Sequence, residues 1–427
     1  MNALHSDPSQ TDALHTNVRQ SDELRINASR LLQFISDMAQ IGATVNGGCN
    51  RQALTDLDRQ GRELFLNWCD AIGGKPRLDS MGNLFVRFAG ANDTLEPILM
   101  GSHLDTQPTG GKYDGVYGVL AALEVMTTLA DSNITLPRPV EIAVWCNEEG
   151  ARFSPAMSGS GVFAGKLNQS EVYRSLDDDG VSYLDALTTS SQLGIEPCKA
   201  FPFKAALELH IEQGPILEAE QQTIGVVSGV QGMNWYQVTL YGESVHAGPT
   251  PMSMRKDPVQ GMAKVLGKLF SKTAEYGEAA RLTVGKISTH PSSPNTVPQR
   301  VTFTLDVRHP SQAKLDQLSQ EILALCQSHA EPLSTDIEVL WQSPAVEFDA
   351  TCVGAIARAA QALELSSMPI VSGAGHDSVY LSSVGPTAMI FVPCKDGISH
   401  NEKEHTEPEQ LVAGANVLLH SLIQLSE

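Results

Sequence analysis

No apolar run in this chain approaches the ~18 residues needed to cross a bilayer, which excludes a membrane-spanning helix. The stretch from Met1 to about Asp22 is polar and acidic and has no apolar core of the kind a secretory signal carries. Residues 1–22 read as a mobile extension, with His5 and His15 as solvated bystanders. Basic residues are scarce: 29 Lys and Arg stand against 49 Asp and Glu, a formal charge of −20. That balance argues against nucleic acid or an anionic membrane as partner. An anionic substrate would need positive charge supplied by its own site. Seven cysteines are scattered without CxxC spacing. An odd, unpatterned set points away from a disulfide framework and toward a reducing, cytoplasmic compartment. There is no internal repeat and no low-complexity segment.

What is present is enough chain for two or three domains, 427 residues. Apolar positions at helical spacing (Leu31, Phe34, Ile35, Met38) predict a helix near 24–39. Thr55 with Asp58 three residues on predicts the capped start of a second helix, ending at Gly73-Gly74. Leu84–Phe88, Ile98–Met100 and Val140–Cys146 read as strands, with a helix over 115–130 between the last two. Apolar strands alternating with helices predict a parallel or mixed sheet covered on both faces. After Ile224 the pattern changes. Trp235–Leu240 and Val301–Arg308 alternate like half-exposed strands, and 257–269 and 312–330 read as helices, which makes a compact α+β unit. Beyond about Asp336 buried α/β character returns, with helices over 354–363 and 409–425 and a strand over 388–392.

The chemistry gathers where the apolar strands stop. Pro97-Ile-Leu-Met100 runs into Gly101-Ser-His103-Leu-Asp105, and the turn Gly111-Lys-Tyr-Asp114-Gly115 follows. α/β folds place ligands at the carboxyl ends of such strands. His103 and Asp105, two apart, share a face of an extended segment, so one can ligate a metal while the other orients a ring nitrogen. Taken alone, a strand-end His capped by an Asp would serve as well. The strand Glu141–Cys146 leads into Asn147-Glu148-Glu149-Gly150. Two adjacent glutamates at a strand end repel each other, and a cation would resolve this, with one as ligand and the other as general base. Glu208, His210 and Glu212 alternate onto one face, and Gln213 beyond them could touch substrate. Ile390-Phe-Val-Pro393 feeds a loop that carries His400. Nitrogen and oxygen donors without cysteine fit Zn²⁺, Mn²⁺, Co²⁺ or Ni²⁺.

These motifs resemble the amidohydrolases of the M20 metallopeptidase superfamily: Gly101-Ser-His-Leu-Asp, Gly111-Lys-Tyr-Asp-Gly, Asn147-Glu-Glu-Gly-Ala-Arg-Phe153, His210-Ile-Glu-Gln-Gly-Pro215, His246-Ala-Gly, Pro294-Asn295, Ser372-Gly-Ala-Gly-His-Asp377 and Gly397-Ile-Ser-His400. His-Ile-Glu-Gln-Gly resembles the branch of N-carbamoyl-L-amino-acid hydrolases, β-ureidopropionases and allantoate amidohydrolases. The resemblance implies an α/β fold: a mixed-sheet, zinc-peptidase-like catalytic domain over 23–223 and 336–427, with an inserted α+β dimerisation or lid domain over 224–335. It implies two divalent ions, Zn²⁺ or Mn²⁺ with Co²⁺ or Ni²⁺ possible. One would be held by His103 and His210 and the other by Glu149 and His400, with Asp114 bridging them.

The resemblance also implies Glu148 as the general base that helps deprotonate the attacking water, with Asp105 orienting His103. His246 and Asn295 would serve the reacting carbonyl, the histidine coming from the partner subunit of a homodimer. Arg308, on the polar face of its strand with Asp306, is either an exposed ion pair or a bidentate clamp on a substrate carboxylate, and the resemblance implies the clamp. His376-Asp377 reads as support for the site. Ser158-Gly-Ser-Gly161 reads as a flexible loop, since it lacks the nucleophile elbow. The implied reaction is hydrolysis of a ureido acid to an amino acid, carbon dioxide and ammonia. Allantoate, N-carbamoyl-β-alanine and, more distantly, acylated amino acids or dipeptides are the alternative substrates. A non-catalytic binding protein on the same scaffold would not need Glu148 and every ligand candidate intact.

Overall fold

A computed structural model describes residues 23–328, 330 and 332–427. The extension expected over 1–22 lies outside the described residues. The chain divides into two compact units, one comprising the residues up to Ser228 together with Phe348–Glu427, the other Gly229–Glu347.

The larger unit is organised by four strands with every residue buried: Ile98–His103, Val140–Trp145, Ala205–Ile211 and Thr387–Val392. Burial on both faces is what their largely apolar sequences require. Ile98–His103 lies parallel to Val140–Trp145 and to Ala205–Ile211, and Ala205–Ile211 lies parallel to Thr387–Val392. All four therefore release their chains at the same edge of the sheet. Antiparallel strands flank them: Leu84–Phe88 pairs with Val140–Trp145, and Ile224–Val230 with Thr387–Val392. The sheet is mixed, as expected.

Helices cover it. Val116–Asp131 is buried without interruption from Val116 to Leu129 and packs on Ile98–His103 and Ala205–Ile211. Asp56–Asp70 starts as its sequence suggests: the Thr55 hydroxyl accepts from the Asp58 N–H at 3.2 Å, and the Asp58 carboxylate accepts from the Leu54 N–H at 2.9 Å. Such a cap is worth about 1 kcal/mol.

The smaller unit is α+β. Its antiparallel sheet runs in the order Ile287–His290, Arg300–His309, Gly232–Tyr241, Ser334–Ser343, with Arg281–Thr283 also paired to Arg300–His309. Arg300–His309 alternates strictly between buried and partly exposed positions. Its inward residues Val301, Phe303, Leu305 and Val307 form one core with Val265 and Leu269 of the helix Pro258–Ala274 and with Leu315, Leu318 and Ile322 of the helix Gln312–Ser328.

Both expected boundaries of this insertion shift. Residue 336 falls inside Ser334–Ser343, which pairs along Gly232–Tyr241 and belongs to the smaller unit. It is a mostly exposed edge strand: Thr335, Ile337, Val339 and Trp341 alternate along it, but only Thr335 and Ile337 of these are partly buried. At the other side, Ile224–Ser228 stays with the larger unit, tied to Thr387–Val392.

Candidate metal centre

Four chain segments deliver polar side chains at the common edge of the parallel strands. His103 ends its strand, and its buried ring places Nδ1 2.8 Å from the main-chain oxygen of Asp105. A carbonyl only accepts, so Nδ1 carries the hydrogen and Nε2 presents a lone pair. His210 is set the same way, with Nδ1 2.9 Å from the Ile211 carbonyl. Holding the outer nitrogen by a main-chain carbonyl is how ligating histidines are oriented. Gly115 lets the rings approach. Its φ is +66°, and a Cβ there would lie 2.2 Å from His103 Nε2.

Asp114 stands between the histidines. Its Oδ1 is 3.1 Å from His210 Nε2 and 3.7 Å from His103 Nε2, and its Oδ2 is 3.4 Å from His400 Nε2. His400 Nε2 is in turn 3.3 Å from Glu149 Oε2. Among the described residues three groups of three donors have ligand atoms within 4.8 Å of one another: His103–Asp114–His210 and Asp114–Glu149–His400, which meet at Asp114, and Glu208–His210–His376 behind the first. Glu148 belongs to none of them, although its Oε2 is 3.3 Å from His103 Nε2. The turns that present these groups are strained: Asn147, Gln213 and His400 all have φ between 53° and 56°. Left-handed non-glycine residues cost of order 1 kcal/mol or more each and gather at functional sites.

The electrostatics match a cation site. Burial and neighbouring carboxylates push Glu148 and Glu149 well above the usual carboxylate range. Asp114 goes the other way: burial opposes its charge, but hydrogen bonding to His210 and the charges of three histidines hold it low. For His210 burial is the largest single effect and lowers it, but the hydrogen bond to Asp114 and the charges of Asp114 and Glu208 together outweigh it and raise the ring to about 9. His103 falls to about 4, because for it burial wins. A buried group of carboxylates with imidazole Nε2 atoms turned toward them is a donor set that divalent cations fit, a cation taking the place of the proton on His210, and the absence of thiolate suits Zn²⁺, Mn²⁺, Co²⁺ or Ni²⁺.

The sequence profile of peptidase family M20/M25/M40 matches residues 99–424. The chain belongs to this family. An N-carbamoyl-L-amino-acid amidohydrolase of Rhizobium meliloti is 44% identical over 405 residues, covering 94% of this chain and 97% of that protein. An allantoate amidohydrolase of Bacillus subtilis is 34% identical, covering 93% and 97%. Among solved structures, a hydantoinase/carbamoylase family amidase from Burkholderia multivorans superposes with a TM-score of 0.90 at 45% identity, covering 94% of this chain and 98% of that one.

Within this M20/M25/M40 scaffold several expected residues take different parts. Asp105 meets His103 through its main chain; the nearest carboxylate oxygen is 4.0 Å from the ring nitrogen. The Asp105 carboxylate instead accepts from the N–H groups of Glu148 and Glu149 at 3.3 and 3.2 Å, which steadies the turn bearing both glutamates. Burial and the nearby Asp58 push this carboxyl up to about 7. Gln213 donates to Asp114 Oδ2 at 2.7 Å, and its Oε1 is buried without a partner. The buried His376 ring packs 4.6 Å from the His210 ring, and Asp377 accepts from the Ser160 hydroxyl. Ser158–Phe163 is a buried helix rather than a flexible loop, since its small residues pack closely.

Three expected residues lie in the smaller unit. His246 sits in a two-residue strand paired with Thr296–Val297, not in an open loop, and its Nδ1 accepts from the Gly248 N–H at 3.0 Å. Asn295 accepts from the Ser293 hydroxyl at 2.9 Å. Arg308 donates to the Asp306 carboxylate from Nε at 3.0 Å and Nη2 at 2.8 Å. Ser399 and Glu404 are the residues that sequence reasoning missed. Glu404 falls in the charged run Asn401-Glu-Lys-Glu404, which reads as solvated surface, yet it is 3% exposed.

Proposed function

We propose that this family member is a metal-dependent amidohydrolase that cleaves the carbamoyl C–N bond of an N-carbamoyl-L-amino acid, with one water consumed. The amine leaves as the amino acid, and the carbamate released with it decomposes to carbon dioxide and ammonia. The single observation that carries this reading is the pair of three-donor groups sharing Asp114, with Glu148 against His103 and part of neither. The names of the relatives supply the ureido substrate class.

His103, His210 and Asp114 would hold one cation, and Glu149, His400 and Asp114 the other. Bound there, Zn²⁺ or Mn²⁺, or alternatively Co²⁺ or Ni²⁺, would polarise the carbonyl and acidify water. Glu148 takes the proton of the attacking water and returns it to the leaving nitrogen, a task suited to a carboxylate whose proton affinity is raised by burial and neighbouring carboxylates. Asp105 keeps Glu148 in place through its N–H. Gln213, His246, Asn295 and Arg308 are proposed substrate contacts, with Arg308 on the substrate carboxylate after exchanging Asp306 for it. The assembly is proposed as a homodimer whose partner supplies His246. A cytoplasmic location agrees with seven free cysteines, which a reducing compartment preserves. The test is ammonia release by the reconstituted enzyme from N-carbamoyl-L- and D-amino acids, N-carbamoyl-β-alanine and allantoate. Release from the L-series is expected. Release from allantoate alone would shift the assignment to that relative's substrate, and silence on all four would reject the ureido class.

A further inference from the structure

Asp114 is gripped from behind by a carboxylate that belongs to none of the three-donor groups. Glu404 Oε1 accepts from the main-chain N–H of Tyr113 at 3.0 Å and of Asp114 at 3.1 Å. Its Oε2 is 2.9 Å from the Ser399 hydroxyl, which also lies 2.8 Å from Asp114 Oδ2. Glu404 therefore reaches the bridging carboxylate twice, once through the main chain and once through Ser399. It also joins the Gly111–Asp114 turn to the loop that carries His400. The fit is tight, because a Cβ on Gly111 would lie 2.1 Å from Glu404 Oε1. A buried carboxylate held to two N–H groups and a hydroxyl in one place resists any rotation of Asp114.

We propose that Glu404, acting through Ser399 and the Tyr113–Asp114 main chain, is a positioning residue that fixes the bridging carboxylate and so sets how tightly the centre holds its cations. The proposal rests on the metal reading above. Groups that orient ligands from outside the coordination sphere typically change metal affinity by about 10–100-fold when removed. Glutamine separates orientation from mere presence. Its carbonyl can accept both N–H groups, and its amide can donate to Ser399, leaving the hydroxyl proton for Asp114.

The experiment titrates the cation-free full-length chain with Co²⁺ and follows the visible absorption of the bound ion. Unfolding midpoints of the cation-free proteins are measured in parallel. Glu404→Ala and Ser399→Ala are expected to weaken Co²⁺ binding by about 10–100-fold and to alter the spectrum, while Glu404→Gln keeps both close to wild type. Should Glu404→Ala fail to fold, Ser399→Ala carries the test, since it removes a single hydroxyl. Alanine variants that bind Co²⁺ as tightly as wild type, or a glutamine variant as weak as alanine, would overturn the proposal and leave the metal reading standing. A wild-type chain that takes up no Co²⁺ would overturn both.

Discussion

Glu148→Gln lowers kcat by about 10²–10⁴-fold, the usual contribution of a positioned general base, while the affinity for Co²⁺ stays within a few fold of wild type. The substitution keeps shape and removes only the ability to take a proton. Glu148 lies outside both three-donor groups, so its loss leaves the ligands in place. Its N–H remains bonded to Asp105. One negative charge leaves a site crowded with Asp114, Glu149 and Asp377, all of which push the Glu148 carboxyl up. Steady-state kinetics together with Co²⁺ titration check this. A fall in cation affinity as large as the fall in kcat would make Glu148 a ligand instead of a base.

Asp114→Ala is expected to abolish both proposed cation sites at once. Each of the two groups that meet at Asp114 would keep two members, His103 with His210 and Glu149 with His400, and the shared carboxylate would be gone. Turnover is expected to fall by roughly 10⁴-fold or more, toward the uncatalysed rate that the cations and base together overcome. Stability gives a second readout. A ligand that binds only the folded chain stabilises it by about 2.7 kcal/mol at a hundred times its dissociation constant. Adding Mn²⁺ or Zn²⁺ should therefore raise the unfolding midpoint of the wild type and leave that of Asp114→Ala unmoved. A single loss, with one cation still bound in the variant, would show that the two sites do not share this residue.

The sheet and its ligand-bearing edge are legible in the sequence because strands buried on both faces are written as largely apolar runs. Ile98–Met100, Val140–Cys146 and 388–392 carry that signal, and each stops at donors. His103, Asp114, Glu149, His210 and His400 stand out for that reason. Their division into two groups around Asp114 does not follow from spacing, since the ligands lie far apart in the chain; it came from the resemblance. Other features were hidden for physical reasons. Ser334–Ser343 alternates through Thr335, Ile337, Val339 and Trp341, but alternation alone does not say which sheet a strand joins, and its pairing with Gly232–Tyr241 is set in space. The direction of the Asp105 carboxylate depends on where the Glu148–Glu149 turn arrives in space. Glu404 resembles surface because burial of a carboxylate among N–H and hydroxyl donors leaves no trace in a charged run.

Anomalous diffraction from crystals of the full chain grown with Mn²⁺ or Zn²⁺ tests the proposed dinuclear centre most directly. Two peaks are expected, one against His103 and His210 and the other against Glu149 and His400, with an oxygen of Asp114 on each. A single peak, or two that leave Asp114 outside the coordination of either, would contradict it.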